Sequence, residues 1–320
     1  MDYQILLSNL TNPTLLFFLL GVLATLVKSD LSIPESSSRF ISLYLLFSIG
    51  FRGGQELQHS GINQEVASTI ILSLLLASVI PIYSFFVLRF RLNAYDAGAV
   101  AATYGSVSAV TFVSANAFLD SQQVHSGGHM VACMALMEAP AIIIGVLLMR
   151  RFSPQKPEGK GIKHILHESL TNGSVMMIVG SLIIGILADS KQAEGIKPFT
   201  SDIFKGFLAL FLLEMGITAS RRFSAFRNYG GFVTLFALIV PLINGSIAIF
   251  LSSFIDIEIG NRFLLAILAA SASYIAVPAA MRIANPESDP GLYIPMALGV
   301  TFPVNITVGI PYYWWLAGLV

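Results

Sequence analysis

The sequence predicts an all-α integral membrane protein whose ten transmembrane helices form a five-plus-five inverted repeat, with helices four and nine interrupted and crossing. Three observations predict it. Hydrophobic residues make up 55% of the chain and charged residues only 11%, against about 25% charged in soluble domains. Apolar stretches recur along the whole length, and since one span takes about 20 residues, 320 residues hold roughly ten. Two of the stretches are loaded with hydroxyls and small residues at matching positions, Tyr104-Gly105-Ser106-Val107-Ser108-Ala109-Val110-Thr111 and Ser271-Ala272-Ser273-Tyr274-Ile275-Ala276-Val277-Pro278. In hydrocarbon an unpaired backbone group costs several kcal/mol, so an interrupted helix must face protein or a water-filled site.

The stretches lie at 12–28, 38–57, 66–88, 97–118, 128–149, 172–189, 201–220, 230–253, 262–282 and 290–318, numbered here as helices one to ten. Helix one follows Met1-Asp2-Tyr3, with no positive charge before it and no small-residue cleavage site after it, and is expected to be a retained helix. Helix two ends in Arg52, Glu56 and His59, which read as a solvated rim. Helix four carries the first hydroxyl cluster. Helix five holds the lone cysteine, Cys133, as core packing, and Glu138 beside Pro140. An intramembrane carboxylate is expensive and is a functional-site hypothesis by default. Helix seven holds Glu214, about two turns from Arg221, where a helix-end location competes with a functional one. Helix nine carries the second cluster. Helix ten holds Asn305, able to ligate a cation through its amide oxygen or to join helices, and ends in Tyr312, Tyr313, Trp314 and Trp315, an expected interfacial aromatic belt.

Orientation follows from basic residues. Lys28, Arg39, Arg89, Arg91, the basic connection from Arg150 to Thr171, Arg221, Arg222, Arg227 and Arg282 follow odd-numbered helices. Only Arg52, Lys191, Lys197, Lys205 and Arg262 belong to the other connections. The odd connections are therefore expected in the cytoplasm, with both termini outside. The halves also align: Thr11-Asn12 with Thr171-Asn172, Gly50 with Gly216, Asn116 with Asn285, and Pro140 with Pro303. An odd number of helices per half makes the repeat inverted. The expected organisation is a first repeat over 1–150, a cytoplasmic connection over 151–171 and a second repeat over 172–320.

Broken helices in matching positions of two repeats point to the substrate site of a secondary transporter. Half-helix N-termini suit an anion, and carbonyls at the unwound turns suit a small cation. Gly105, Ser106, Ser108, Thr111, Ser271, Ser273 and Tyr274 are the candidate substrate-binding residues. Glu138, Ser108, Ser273 and Asn305 are the candidates for coupling to a cation. Serine and threonine hydroxyls also bond their own helix carbonyls or join helices. With a net charge of zero and no long basic run, nucleic acid is not an expected partner. The histidines form no HExxH, and no phosphate loop is present, so the chain is not expected to be an enzyme.

Across nearly its whole length the chain resembles the sodium-dependent bicarbonate transporter family of bacterial permeases. The resemblance rests on Asn12-Pro13-Thr14, Ile33-Pro34-Glu35, Gly105 to Ser108 with Thr111, Ala139-Pro140-Ala141 after Glu138, Ala270-Ser271-Ala272-Ser273 with Pro278 and Arg282, Ala284-Asn285-Pro286, and Tyr293. It implies a core domain moving against a gate domain in an elevator-type mechanism, a homotrimer in the bacterial plasma membrane, and sodium-coupled bicarbonate import. It further implies a PII-like regulatory protein as partner, although the central connection is short. No cofactor is expected beyond sodium as the coupling ion. Carried over, Gly105, Ser108 and Thr111 match the substrate turn of helix four, and Ser271 and Ser273 that of helix nine. Two departures stand out: Tyr274 replaces an expected acidic residue, removing a sodium ligand, and Ala109-Val110 replaces small polar positions. Symport of another small anion or carboxylate with proton coupling through Glu138, and a transport-dead membrane sensor, are the alternative readings.

Overall fold

The structure, a computed structural model, describes residues 13–61, 63–153, 167, 171, 173–226 and 230–320. Among these there is no strand. Asn12, Asn172, Arg227, the side chain of Arg282 and most of the central basic connection lie outside the described residues.

Helices cover each of the apolar stretches. The first three are α1 (Pro13–Leu26), α2 (Glu35–Ser60) and α3 (Gln64–Leu88). Helix four is divided into α4 (Ala94–Gly105) and α5 (Ala109–Ser121), and α6 (His129–Phe152) follows. After the central connection come α7 (Gly173–Leu187), the short polar α8 (Ser190–Lys197), α9 (Phe204–Phe226) and α10 (Gly231–Ser252). Helix nine is divided into α11 (Ile259–Ala270) and α12 (Ala276–Ala284). The last element, α13, spans Pro290–Ala317. Among the described residues six helical runs are long and apolar enough to cross a bilayer, and three shorter apolar helices accompany them. The chain is thus an all-α integral membrane protein. The α8 helix falls where the hydropathy pattern suggests only a connection; it is started by a capping box between Asp189 and Gln192.

Two bodies can be distinguished by what packs on what. In one, α2 lies on α7 and α9 lies on α1, with glycines letting the backbones touch. A methyl group on Gly54 would fall 2.1 Å from the Leu182 carbonyl oxygen, and one on Gly216 would fall 2.1 Å from that of Phe18. Small residues at such crossings are the usual means of packing where lipid supplies no hydrophobic drive. In the other body α3, α4 and α6 pack mutually, and α10 packs on α11 and α13.

Prolines shape this second body. Pro241 in α10 has no N–H to give to Ala237, and the Thr301 hydroxyl takes that freed carbonyl at 2.9 Å. Thr301 Oγ1 also meets the Tyr104 hydroxyl at 2.7 Å, which ties the end of α4 to α10 and α13. Within α13, π turns occupy Met296–Thr301 and Asn305–Gly309. Each contains the carbonyl, of Gly299 or Thr307, that the ring of Pro303 or Pro311 would press against; the wider turn relieves that pressure. Tyr313 corrects the aromatic-belt expectation. It is fully buried, donating to Pro241 O at 3.1 Å, and Trp314 packs edge-on against Phe118 and Phe263.

Candidate functional site

The two interruptions meet. Ser106 and Ser108 have extended backbones between α4 and α5, and Ser271 has one after α11. The Ser108 N–H donates to Ser271 Oγ at 2.9 Å, and the Ser273 N–H donates to Thr103 O at 2.9 Å. Each unwound turn therefore satisfies backbone groups that the other leaves open, as a membrane interior requires. The crossing is buried, with Ser106, Ser108, Thr111, Ser271 and Ser273 all nearly inaccessible.

Ser108 is the N-cap of α5. Its Oγ accepts from the Thr111 N–H at 3.2 Å and from the Thr111 hydroxyl at 3.0 Å, while its carbonyl takes the Phe112 N–H. Among the described residues no acceptor meets the two leading N–H groups of α5, those of Ala109 and Val110, at the positive end of the helix. Ser106 Oγ is enclosed at the same turn without a hydrogen-bond partner among the described residues. A buried hydroxyl left unpaired costs about 1–3 kcal/mol, which a bound anion would offset.

On the other turn, Ser271 Oγ donates to Leu268 O at 3.0 Å while accepting from Ser108. Ser273 Oγ accepts the Val277 N–H at 3.4 Å, a long bond at the head of α12. Tyr274 lies over the crossing, its hydroxyl beside Ser108 and donating to Met215 Sδ of α9 at 3.7 Å. Asn305 stands behind helix nine. Its amide donates to Ala270 O at 2.8 Å, closing the end of α11, and its Oδ1 accepts from the Tyr313 hydroxyl at 3.3 Å. That amide oxygen, expected as a cation ligand, has one of its two acceptor positions taken by this bond.

Gly105 contributes by its lack of a side chain. A methyl group there would lie 2.6 Å from Pro81 Cδ, against a ring with no freedom to move aside. Gly105→Ala is expected to destabilise the protein by about 1–3 kcal/mol through overpacking, read as a lowered thermal midpoint of the purified protein. Glu138 is half-buried on α6. Since Gly145 packs on Ala102 and Met149 on Gly98, α4 and α6 are antiparallel, which puts Glu138 level with the helix-four turn. None of the hydrogen bonds of the crossing involves it.

A cavity of about 140 Å³ opens beside α5, reaching Phe112 and Asn116 and bounded by Arg52, Glu56, Asp120 and His125. Arg52 Nη2 lies 3.4 Å from Asp120 Oδ2, and His125 Nε2 lies 3.1 Å from Glu56 Oε1. Both pairs join α2 to the far end of helix four and the loop after it. Two of the residues read as a rim from sequence, Arg52 and Glu56, are therefore also walls of a polar cavity beside α5. Sequence reasoning missed the Thr103 carbonyl, the Ala270 carbonyl and the orientation of Glu214. A backbone acceptor has no side-chain signature, whereas Glu214 was visible as the acid in the middle of helix seven.

A model of the Na+-dependent bicarbonate transporter superfamily matches residues 13–318 of the chain. No curated protein matches it.

Proposed function

Because this chain belongs to the Na+-dependent bicarbonate transporter superfamily, we propose that it carries bicarbonate into the cell together with sodium, by alternating access about the crossing of helices four and nine. The observation that carries this reading is the pair of mutually capped turns, which leaves the Ala109 and Val110 N–H groups and the unpartnered Ser106 hydroxyl at one buried point. Bicarbonate is small, planar and singly charged. It offers acceptors to those N–H groups and a hydroxyl of its own. Sodium would bind nearby through hydroxyl and carbonyl oxygens of the same turns, and each ion would offset the charge of the other.

The two packing bodies support an elevator arrangement. The α1, α2, α7 and α9 body serves as the gate, and the body holding both broken helices serves as the moving core. The correspondence between α2 on α7 and α9 on α1, with the aligned glycines Gly50 and Gly216 at the crossings, supports the five-plus-five inverted repeat. A bacterial plasma membrane location with both termini outside, a homotrimer, and a PII-like protein at the central connection complete the reading. In it, the Arg52 cavity is the outer approach.

Uptake of labelled bicarbonate into proteoliposomes tests the function. Accumulation is expected with an inward sodium gradient and not with choline in its place. Uptake indifferent to sodium would move coupling to another ion, and absence of uptake with sodium present would reject the bicarbonate assignment.

A further inference from the structure

Glu214 sits near the middle of α9, the one acidic residue of that helix. Its Oε1 accepts from the Thr218 hydroxyl at 2.8 Å, and its Oε2 is enclosed with no hydrogen-bond partner among the described residues. No ion pair reaches it among the described residues. The nearest basic side chains on α9, Arg221 and Arg222, are exposed and begin two turns away, about 10 Å along the axis. An uncompensated carboxylate at this depth is costly and is retained where a counter-charge comes to it. The neighbouring Met215 receives the Tyr274 hydroxyl at 3.7 Å. Glu214 itself interacts electrostatically with Tyr274, whose hydroxyl lies beside Ser108. The acid on the gate thus faces the crossing on the core through one phenol.

We propose that Glu214 is the carboxylate ligand of a small monovalent cation, held between its Oε2 and the hydroxyl oxygen of Tyr274. The proposal rests on the transport reading and names the residue that couples it to sodium, a role the sequence suggested for Glu138. A cation at Oε2 supplies the missing counter-charge and gathers the neighbouring oxygens around it. Because the ligand set draws on both bodies, any separation of the core from α9 strips the carboxylate from the cation and weakens its hold. Affinity is therefore highest in the arrangement seen here and falls on the other side of the membrane.

The test is the thermal midpoint of the purified protein in sodium chloride against choline chloride, with and without bicarbonate. Sodium is expected to raise the wild-type midpoint. Glu214→Gln is expected to abolish the sodium response while starting from a midpoint at least as high, since it removes an unpaired charge of nearly the same shape. Glu214→Asp keeps the charge on a shorter arm and is expected to need about 10-fold more sodium for the same shift; it carries the test if the glutamine variant does not fold. A glutamine or aspartate variant that responds to sodium as the wild type does would overturn the proposal. So would a wild-type protein that bicarbonate stabilises and sodium does not, although the bicarbonate reading would survive. A wild type indifferent to both ions would remove that reading as well.

Discussion

Ser108→Ala is expected to reduce the initial rate of bicarbonate uptake by about 100-fold, while the protein still reaches the membrane. The Ser108 oxygen receives both the N–H and the hydroxyl of Thr111, in a buried turn. Alanine keeps the backbone bond to Ser271 but orphans these two donors, at about 1–3 kcal/mol for each buried group left unpaired. The loss falls on the leading turn of α5, whose N–H groups hold the anion in the proposed function. A 1.36 kcal/mol loss is tenfold in rate, so two orphaned donors span about two decades. Ser108→Thr retains the capping oxygen and is expected to recover a substantial part of the rate. Ser273→Ala should cost less than Ser108→Ala, because the Ser273 oxygen makes one 3.4 Å bond and its N–H contact to Thr103 survives. Initial rates normalised to the amount of reconstituted protein measure all three. Full activity in Ser108→Ala would dismiss this turn as the anion site.

Asn305→Leu is expected to abolish transport and to lower the yield of monodisperse protein. Leucine fills about the same space but gives nothing to the Ala270 carbonyl, which accepts the Asn305 amide at 2.8 Å. A buried carbonyl left open at the end of α11 costs about 1–3 kcal/mol. The Tyr313 hydroxyl keeps Pro241 as partner, so the damage centres on helix nine. Asn305→Asp separates this positioning role from direct cation binding. It preserves an oxygen for a cation but removes the donor, and is expected to behave like the leucine variant. An aspartate variant with normal yield and normal sodium dependence would restore Asn305 as a ligand. Size-exclusion profiles in detergent, read with uptake, decide between the two.

Much of the architecture was legible because the bilayer permits so few solutions. Runs of apolar residues placed the helices within a few residues of where they occur, and the hydroxyl clusters marked both breaks. What linear reading did not reach is how polar groups are shared between distant parts of the chain. Asn305 read equally as ligand or joint, and the joint, its donation to Ala270, shows only in the folded chain. Tyr313 and Trp314 read as interfacial because aromatic clusters at helix ends are common there; the π turns of α13 place Tyr313 inside instead. Gly105 read as part of the substrate turn, yet its contact is with Pro81 on another helix. Glu214 was held back by its spacing from Arg221, since spacing along one helix does not show which neighbour a side chain meets.

The sharing of caps between the two turns also bears on how the chain is made. Ser108 waits for Ser271, 163 residues later, and Thr103 waits for Ser273. When the first half leaves the ribosome, helix four enters the bilayer with a middle that nothing yet completes. It must pass that interval as a continuous helix, or under the protection of the insertion machinery, and open only once helix nine arrives. Biogenesis therefore ends with a late, concerted closure, and chains arrested before Ser271 are expected to be targets for quality-control proteolysis however well their first helices are inserted.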